Sequence, residues 1–318
     1  MGLGHLSRLL SVAQELRKSG AAEPEFLIFG EYIEKNELAG FNTVFIPLLN
    51  DFVEAIKDRV QIGLAPSVVI FDLYPKHEIV GVKKMLLWIK SRNIHLVGVE
   101  SFFEYCDLLD VAWVSSFSFD SSMYSDSTDR VKFGWDSYLI QKRLPSQEWT
   151  KGKRILILTG GGDVTHLGNS LPTLLDGSLD KNTEVHWVRG PFAGAPSLPD
   201  KTRLNWRVHY APTQLDELIV ESNYVLTVFG VSFFEVLQYG IPSVVFSPYG
   251  DKDSQELKAL SDEKVAMVAE NDMNAVAQVV ALMKNDHLAK ALSEKALENL
   301  SINGARRLSD AILSLEKV

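Results

Sequence analysis

Apolar residues open this chain at three- and four-residue spacing. Leu6, Leu9, Leu10, Val12, Ala13 and Leu16 predict an amphipathic helix from about Leu6 to Lys18, ended by Gly20. The period then changes. Short β-branched runs at Phe26–Phe29, Thr43–Ile46, Val68–Phe71, His95–Val99 and Val111–Val114 predict strands, with helices at Phe52–Val60 and Ile79–Ile89 between them. A polar, basic, proline-containing stretch, Gln141–Lys153, reads as an interdomain linker. The same rhythm then restarts, with strands at Arg154–Leu158, Glu184–Val188, Trp206–His209, Tyr224–Val228 and Ser243–Phe246. Helices are expected through Leu175, at Gly230–Tyr239 and Asp253–Leu260, and in the tail at Val276–Met283, His287–Leu297 and Ala305–Leu315. Strands alternating with crossover helices predict an α/β chain of two doubly wound, parallel-sheet domains, 1–144 and 145–318. A return of the last helix to the first domain is left open by the pattern.

Composition narrows the class. The 318 residues are 46% hydrophobic, ample for two domains, and no run is long and apolar enough for a membrane span. The opening apolar stretch is amphipathic and lacks a small-residue cleavage site, so it does not read as a signal peptide. The one cysteine, Cys106, leaves no disulfide framework and fits a reducing cytoplasm, and no Cys/His cluster has zinc-ligand spacing. A net charge of -9 argues against a nucleic-acid groove, leaving only a local basic patch possible.

Three segments sit where parallel sheets bind ligands, beyond the carboxyl ends of strands or at helix starts. In Gly2-Leu3-Gly4-His5-Leu6-Ser7-Arg8, Gly2 and Gly4 admit close approach of a ligand to the backbone, and His5 lies at the positive end of a helix. The other reading is a glycine turn with His5 as a cap. Gly160-Gly161-Gly162 can wrap a diphosphate with its amides, or form a tight turn capped by Asp163. In Phe229-Gly230-Val231-Ser232-Phe233-Phe234-Glu235, Gly230 and Ser232 can donate to phosphate. Glu235, one turn on, can accept from a ribose diol or stand as a solvated helix-face carboxylate. Asp72 and Tyr74 follow the Val68–Phe71 strand. Asp72 can orient a hydroxyl or the histidine ring, or make a turn before Pro75; Tyr74 can donate to a departing or attacking oxygen, or pack half-buried. His77, His166, His186 and His209 read as surface or packing residues. Phe102, Phe103, Phe117 and Phe119 read as packing around strand ends, with an acceptor or partner surface as the alternative.

Taken in order, Gly-x-Gly-His-x-x-Arg, Asp-x-Tyr after a strand, Cys106-Asp107-Leu108-Leu109, the triple glycine, and Gly-x-Ser-x-x-Glu with Gly240-Ile241-Pro242 resemble the PseG-type UDP-sugar hydrolases. These are similar to SpsG-type polysaccharide proteins and, more distantly, to MurG-type glycosyltransferases. The resemblance runs over nearly the whole chain. It implies the GT-B architecture, two Rossmann-like domains facing a cleft, and a metal-independent enzyme without cofactor that breaks the sugar C1–O bond and releases UDP. Carried over, His5 is the base that activates water, Tyr74 lies beside the anomeric centre, and the motif's arginine, Arg8, is expected with Gly2, Gly4 and the triple glycine among the residues that bind the substrate or its nucleotide. Gly230, Val231 and Ser232 face the diphosphate, and Glu235 the ribose. Three departures are visible. The family's first strand is absent before Gly2, which predicts a first sheet short of one strand, an opening loop without its anchor, and a chain that is truncated or begins at a misassigned start. Asp251-Lys252-Asp253 stands where the family has an Asn-Gln pair, so Asp253 changes the groups offered to the sugar. The acidic residue expected after the Val97–Val99 strand is Glu100, here followed by Ser101, a modest change.

Three functions remain in view. The first is a hydrolase of a UDP-activated amino or deoxy sugar in surface-polysaccharide or nonulosonic-acid-type biosynthesis. The second is a glycosyltransferase using the same donor, and the third a catalytically silent nucleotide-sugar-binding partner. A nicotinamide-dependent dehydrogenase is disfavoured, because neither glycine loop gives Gly-x-Gly-x-x-Gly with an acidic residue ~20 positions on.

Overall fold

The computed structural model describes residues 4–20, 23–30, 32, 38–47, 52–62, 66–73, 81–120, 129–300 and 303–315. The chain divides into two compact units. One comprises His5–Leu139 with Ile302–Val318, the other Ile140–Ser301 with Met1–Gly4.

In the first unit, α1 (Gly4–Lys18) buries two adjacent stripes. Leu10 and Ala13 pack with Phe26 of β1 (Glu25–Phe29) and with Leu38 and Phe41, while Val12 and Leu16 face Val97, Val99, Val111 and Trp113. Strand β1 pairs in parallel with β2 (Asn42–Ile46), and these two form a sheet of their own. A separate parallel sheet runs β3 (Val68–Phe71), β4 (His95–Val99), β5 (Val111–Trp113) and β6 (Val131–Lys132). The strands expected in the first domain are therefore divided between two sheets. Strand β4 shows the two-residue period plainly, since Leu96 packs toward α2 (Phe52–Ile62) and α3 (Val82–Lys90), while Val97 and Val99 turn to the opposite face.

That opposite face is covered by α1 and by α10 (Gly304–Leu315), whose Ala305, Leu308 and Ile312 recur at helical spacing and are buried there. Full burial of Leu308 alone contributes about 1.5–3 kcal/mol. The division at 144/145 is corrected accordingly: α10 belongs with the first unit, because the apolar stripe that covers β4 and β5 lies on it.

In the second unit, six described strands, all parallel, stand in the order β12 (Met267–Val268), β11 (Ser243–Phe246), β10 (Tyr224–Val228), β7 (Arg154–Leu158), β8 (Glu184–Arg189), β9 (Asn205–Tyr210). From β7 the chain passes through α4 (Leu167–Ser178) and builds outward to β8 and β9. It then crosses back to add β10 on the other side of β7. Ile155 and Ile157 of β7 face α4 and α8 (Asp272–Met283), while Leu156 and Leu158 face α5 (Leu215–Val220) and α6 (Val231–Leu237). Helices α7 (Ser254–Glu263) and α9 (Asp286–Asn299) complete the unit.

The expected linker carries no helix or strand, and its start is bound to the second unit. The Tyr239 hydroxyl accepts from the amides of Arg143 at 3.1 Å and Leu144 at 3.3 Å and donates to Asp216. Burial, and secondarily this bond to Asp216, push the phenol up to about 12. Lys142 donates to the Gln238 carbonyl, and the Gln238 amide to Gln141.

The sequence pattern did not indicate β6, β12 or α5. Two-residue strands and a six-residue helix are too short to display a period. Phe102 is fully buried and stacks on Phe71; Phe117 stacks on Trp135, and Phe119 packs on Phe133. The Phe103 side chain lies outside the described residues.

Candidate active site

Two groups of candidate residues lie at carboxyl ends of strands, one in each unit. In the first unit, β3 ends at Phe71 and delivers Asp72, whose side chain is fully inaccessible. His5, in the first turn of α1, places Nδ1 2.6 Å from Asp72 Oδ1, while its ring remains 36% exposed. An ionised carboxylate only accepts, so the proton of this bond belongs to Nδ1, and in the neutral ring the lone pair falls to Nε2. Among the described residues Nε2 makes no hydrogen bond. An imidazole fixed in this tautomer, with Nε2 open, can take a proton from a nucleophile.

Arg8 sits one turn along α1. Its Nε donates to Asp72 Oδ2 at 3.1 Å and its NH2 to Oδ1 at 2.9 Å, while NH1 lies 3.5 Å from Glu100. Burial, the largest single influence, disfavours the cation. Bonding to Asp72 and the charges of Asp72 and Glu100 nevertheless hold Arg8 above its ordinary value. The guanidinium is thus engaged with two carboxylates. Glu100 follows β4 and has a left-handed backbone, with φ of 55°. The structure brings His5, Asp72, Arg8 and Glu100 together; Gly4 opens α1, and Gly2, Tyr74 and His77 lie outside the described residues.

In the second unit the strand order reverses between β7 and β10, and a crevice at such a reversal is where open α/β sheets bind ligands. The segments after these two strands are Thr159-Gly160-Gly161-Gly162 and Phe229-Gly230-Val231-Ser232. Gly160 has φ of 83°, open to glycine without strain. Gly190, after β8, presses on this loop so closely that a Cβ there would lie 2.4 Å from the Gly161 carbonyl oxygen.

Asp163 accepts from the amides of Leu167 at 2.9 Å and Gly168 at 2.8 Å, so it caps α4 and fills that helix N-terminus with its own carboxylate. A ligand anion at the triple glycine would meet loop amides, not the end of α4. Gly230 precedes α6, where Val231 and Ser232 form the first turn and Glu235 stands one turn later, half-buried. Asp253 accepts from the Ser247 hydroxyl at 2.5 Å and thereby ties down the segment after β11.

Sequence reasoning passed over Thr159. It is buried beside the reversal, and its hydroxyl has no partner among the described residues, leaving a donor that an oxyanion could engage. A polar residue between a strand and a glycine run was the available signal. His186 is buried, bonded to Glu184 at 3.0 Å and to His209 at 3.2 Å, and so is a packing residue. Among the described residues, no group of three or more His, Cys, Asp or Glu side chains is placed to hold a metal, and no helix is long and apolar enough to cross a membrane.

No known family model matches the chain. The Uncharacterized protein MJ1062 of Methanocaldococcus jannaschii is 28% identical over 272 residues, which cover 77% of this chain and 53% of that protein. The chain thus spans about half the length of that relative. Among solved structures, MurG of Acinetobacter baumannii superposes with a TM-score of 0.66 at 15% identity, covering 98% of this chain and 96% of that one. A putative UDP-N-acetylglucosamine 2-epimerase from Listeria monocytogenes gives 0.67 at 12% identity, covering 99% and 94%. The calicheamicin glycosyltransferase CalG4 gives 0.63 at 13%, covering 99% and 96%. Two parallel α/β units and these likenesses establish the fold of the chain as GT-B.

Proposed function

We propose that this chain hydrolyses a UDP-activated amino or deoxy sugar at its anomeric C–O bond. The observation that carries this reading is the His5–Asp72 contact, which orients the imidazole at strand carboxyl ends as a general base requires. On this reading, water attacks the anomeric carbon as Nε2 of His5 takes its proton, and the C1–O bond breaks toward the diphosphate. The amides of Gly160–Gly162 and the start of α6 offset charge growing on the leaving group, and Glu235 accepts from the ribose. Tyr74 beside the anomeric centre and Asp253 toward the sugar extend the reading, as does a place in surface-polysaccharide or nonulosonic-acid-type biosynthesis.

The likeness in fold to CalG4, described as the calicheamicin glycosyltransferase, supports a second reading, in which an acceptor hydroxyl replaces water and the same histidine deprotonates it. UDP release from a panel of UDP-N-acetyl sugars, measured without acceptor, separates the two. Release in proportion to enzyme is the expected result. UDP binding without release would move the assignment to transfer, and no binding at all would remove both readings.

A further inference from the structure

Arg8 lies between two carboxylates and exposes only 14% of its side chain. Its Nε and NH2 divide between both oxygens of Asp72, and Oδ1 is the same atom that receives Nδ1 of His5. A guanidinium fork held on two oxygens fixes the plane of a carboxylate as well as its position. NH2 also lies 3.1 Å from Nδ1 of His5. A guanidinium only donates, so this approach asks Nδ1 to accept while Asp72 Oδ1 asks it to donate, and the shorter contact to the carboxylate, at 2.6 Å, keeps the proton on Nδ1. The remaining nitrogen, NH1, faces Glu100. Glu100 reaches it from a left-handed backbone, uncommon for a residue with a side chain and found most often where function holds it.

We infer that Arg8 is a positioning residue that holds Asp72 so the proton stays on Nδ1 and Nε2 remains the basic nitrogen of His5, with Glu100 holding Arg8 in turn. This deepens the hydrolase reading and rests on it for its catalytic meaning, but its physical content concerns the ring alone. The charged groups facing His5 among the described residues are Asp72 at the end of β3 and Arg8 on α1; Glu100, after β4, acts through Arg8.

The test is the nitrogen NMR spectrum of the full chain with ¹⁵N-labelled histidine, His5 being assigned from a His5→Gln variant. In the parent protein the Nδ1–H tautomer should dominate. In Arg8→Met, the Nε2–H form should appear and kcat on the best UDP-sugar should fall on the order of a hundredfold with KM unchanged. Arg8→Lys should fail to restore either, because a point charge cannot hold two oxygens at once. Should Arg8→Met not fold, Glu100→Gln, at a partly exposed carboxylate, should give a smaller change in the same direction in both readouts. An Nδ1–H tautomer that persists in a folded Arg8→Met overturns the inference. A rise in KM at constant kcat also overturns it and makes Arg8 a substrate ligand. The spectrum needs no substrate: a tautomer that responds in a protein without turnover removes the hydrolase reading alone, whereas turnover with an unresponsive tautomer removes this one alone.

Discussion

Nδ1 of His5 and Oδ1 of Asp72 lie 2.6 Å apart although 67 residues separate them in the chain. The contact gives the imidazole a direction that neither residue could impose alone. Replacing Asp72 with Asn offers Nδ1 an amide in place of a charge, and the ring can then turn over or change tautomer. Turnover should fall by on the order of a hundredfold or more, as it should in His5→Ala, with UDP affinity unchanged in both. Steady-state rates beside calorimetric UDP titration give the answer, and an unaltered rate in either variant refutes the general-base role.

Glu235 is expected to act before the reaction and throughout it. A ribose contact made in the ground state and kept in the transition state is uniform binding, so Glu235→Ala should weaken UDP binding and raise KM with little change in kcat. Unchanged calorimetric affinity would remove the ribose assignment.

Asp163 has a structural task that is measurable without substrate. Its carboxylate accepts two amides at the start of α4, so Asp163→Ala should cost about 1 kcal/mol, within the usual range for a lost helix cap. Urea denaturation with an unchanged slope reports the loss directly. A variant as stable as its parent would show that the cap is redundant.

The His186–His209 pair should make the second unit sensitive to mild acid. Burial first, and then the neighbouring His186 and Arg207, hold His209 below its ordinary value. The folded state therefore prefers the neutral ring, whereas the unfolded chain takes up a proton once pH falls below about 6.5. Stability from this group is present above that value and declines as pH drops through it. Urea midpoints between about pH 7.5 and about pH 5.5 should fall less steeply in His209→Gln than in the parent. Parallel slopes would show that other groups, such as the carboxylate of Glu184, carry the dependence.

Much of the architecture is legible from short-range pattern. Strand β4 reads as a strand because Leu96, Val97 and Val99 are apolar on both faces, and α1 as a helix because its leucines keep a helical period. Asp72 was readable as a partner for the histidine because it ends a strand at the same sheet edge that such loops serve. The destination of Arg8 was not readable. A basic residue one turn into a helix suits a phosphate as well as a carboxylate, and only the fold shows which one stands opposite. Ala305, Leu308 and Ile312 likewise announce a buried face without saying what covers it. The division of β1 and β2 from β3–β6 depends on pairing across sequence, which local period does not encode.

The position of α10 has a consequence in time. During synthesis the chain emerges from its amino end, and a domain normally folds once its own residues have cleared the ribosome. Here the segment from Ile140 to Ser301 can close its core while the sheet made earlier still lacks the helix that covers one of its faces. The unit whose sheet is translated earlier is therefore completed later, and until α10 arrives Val97, Val99 and Trp113 lack one of the helices that shield them from water and from other nascent chains.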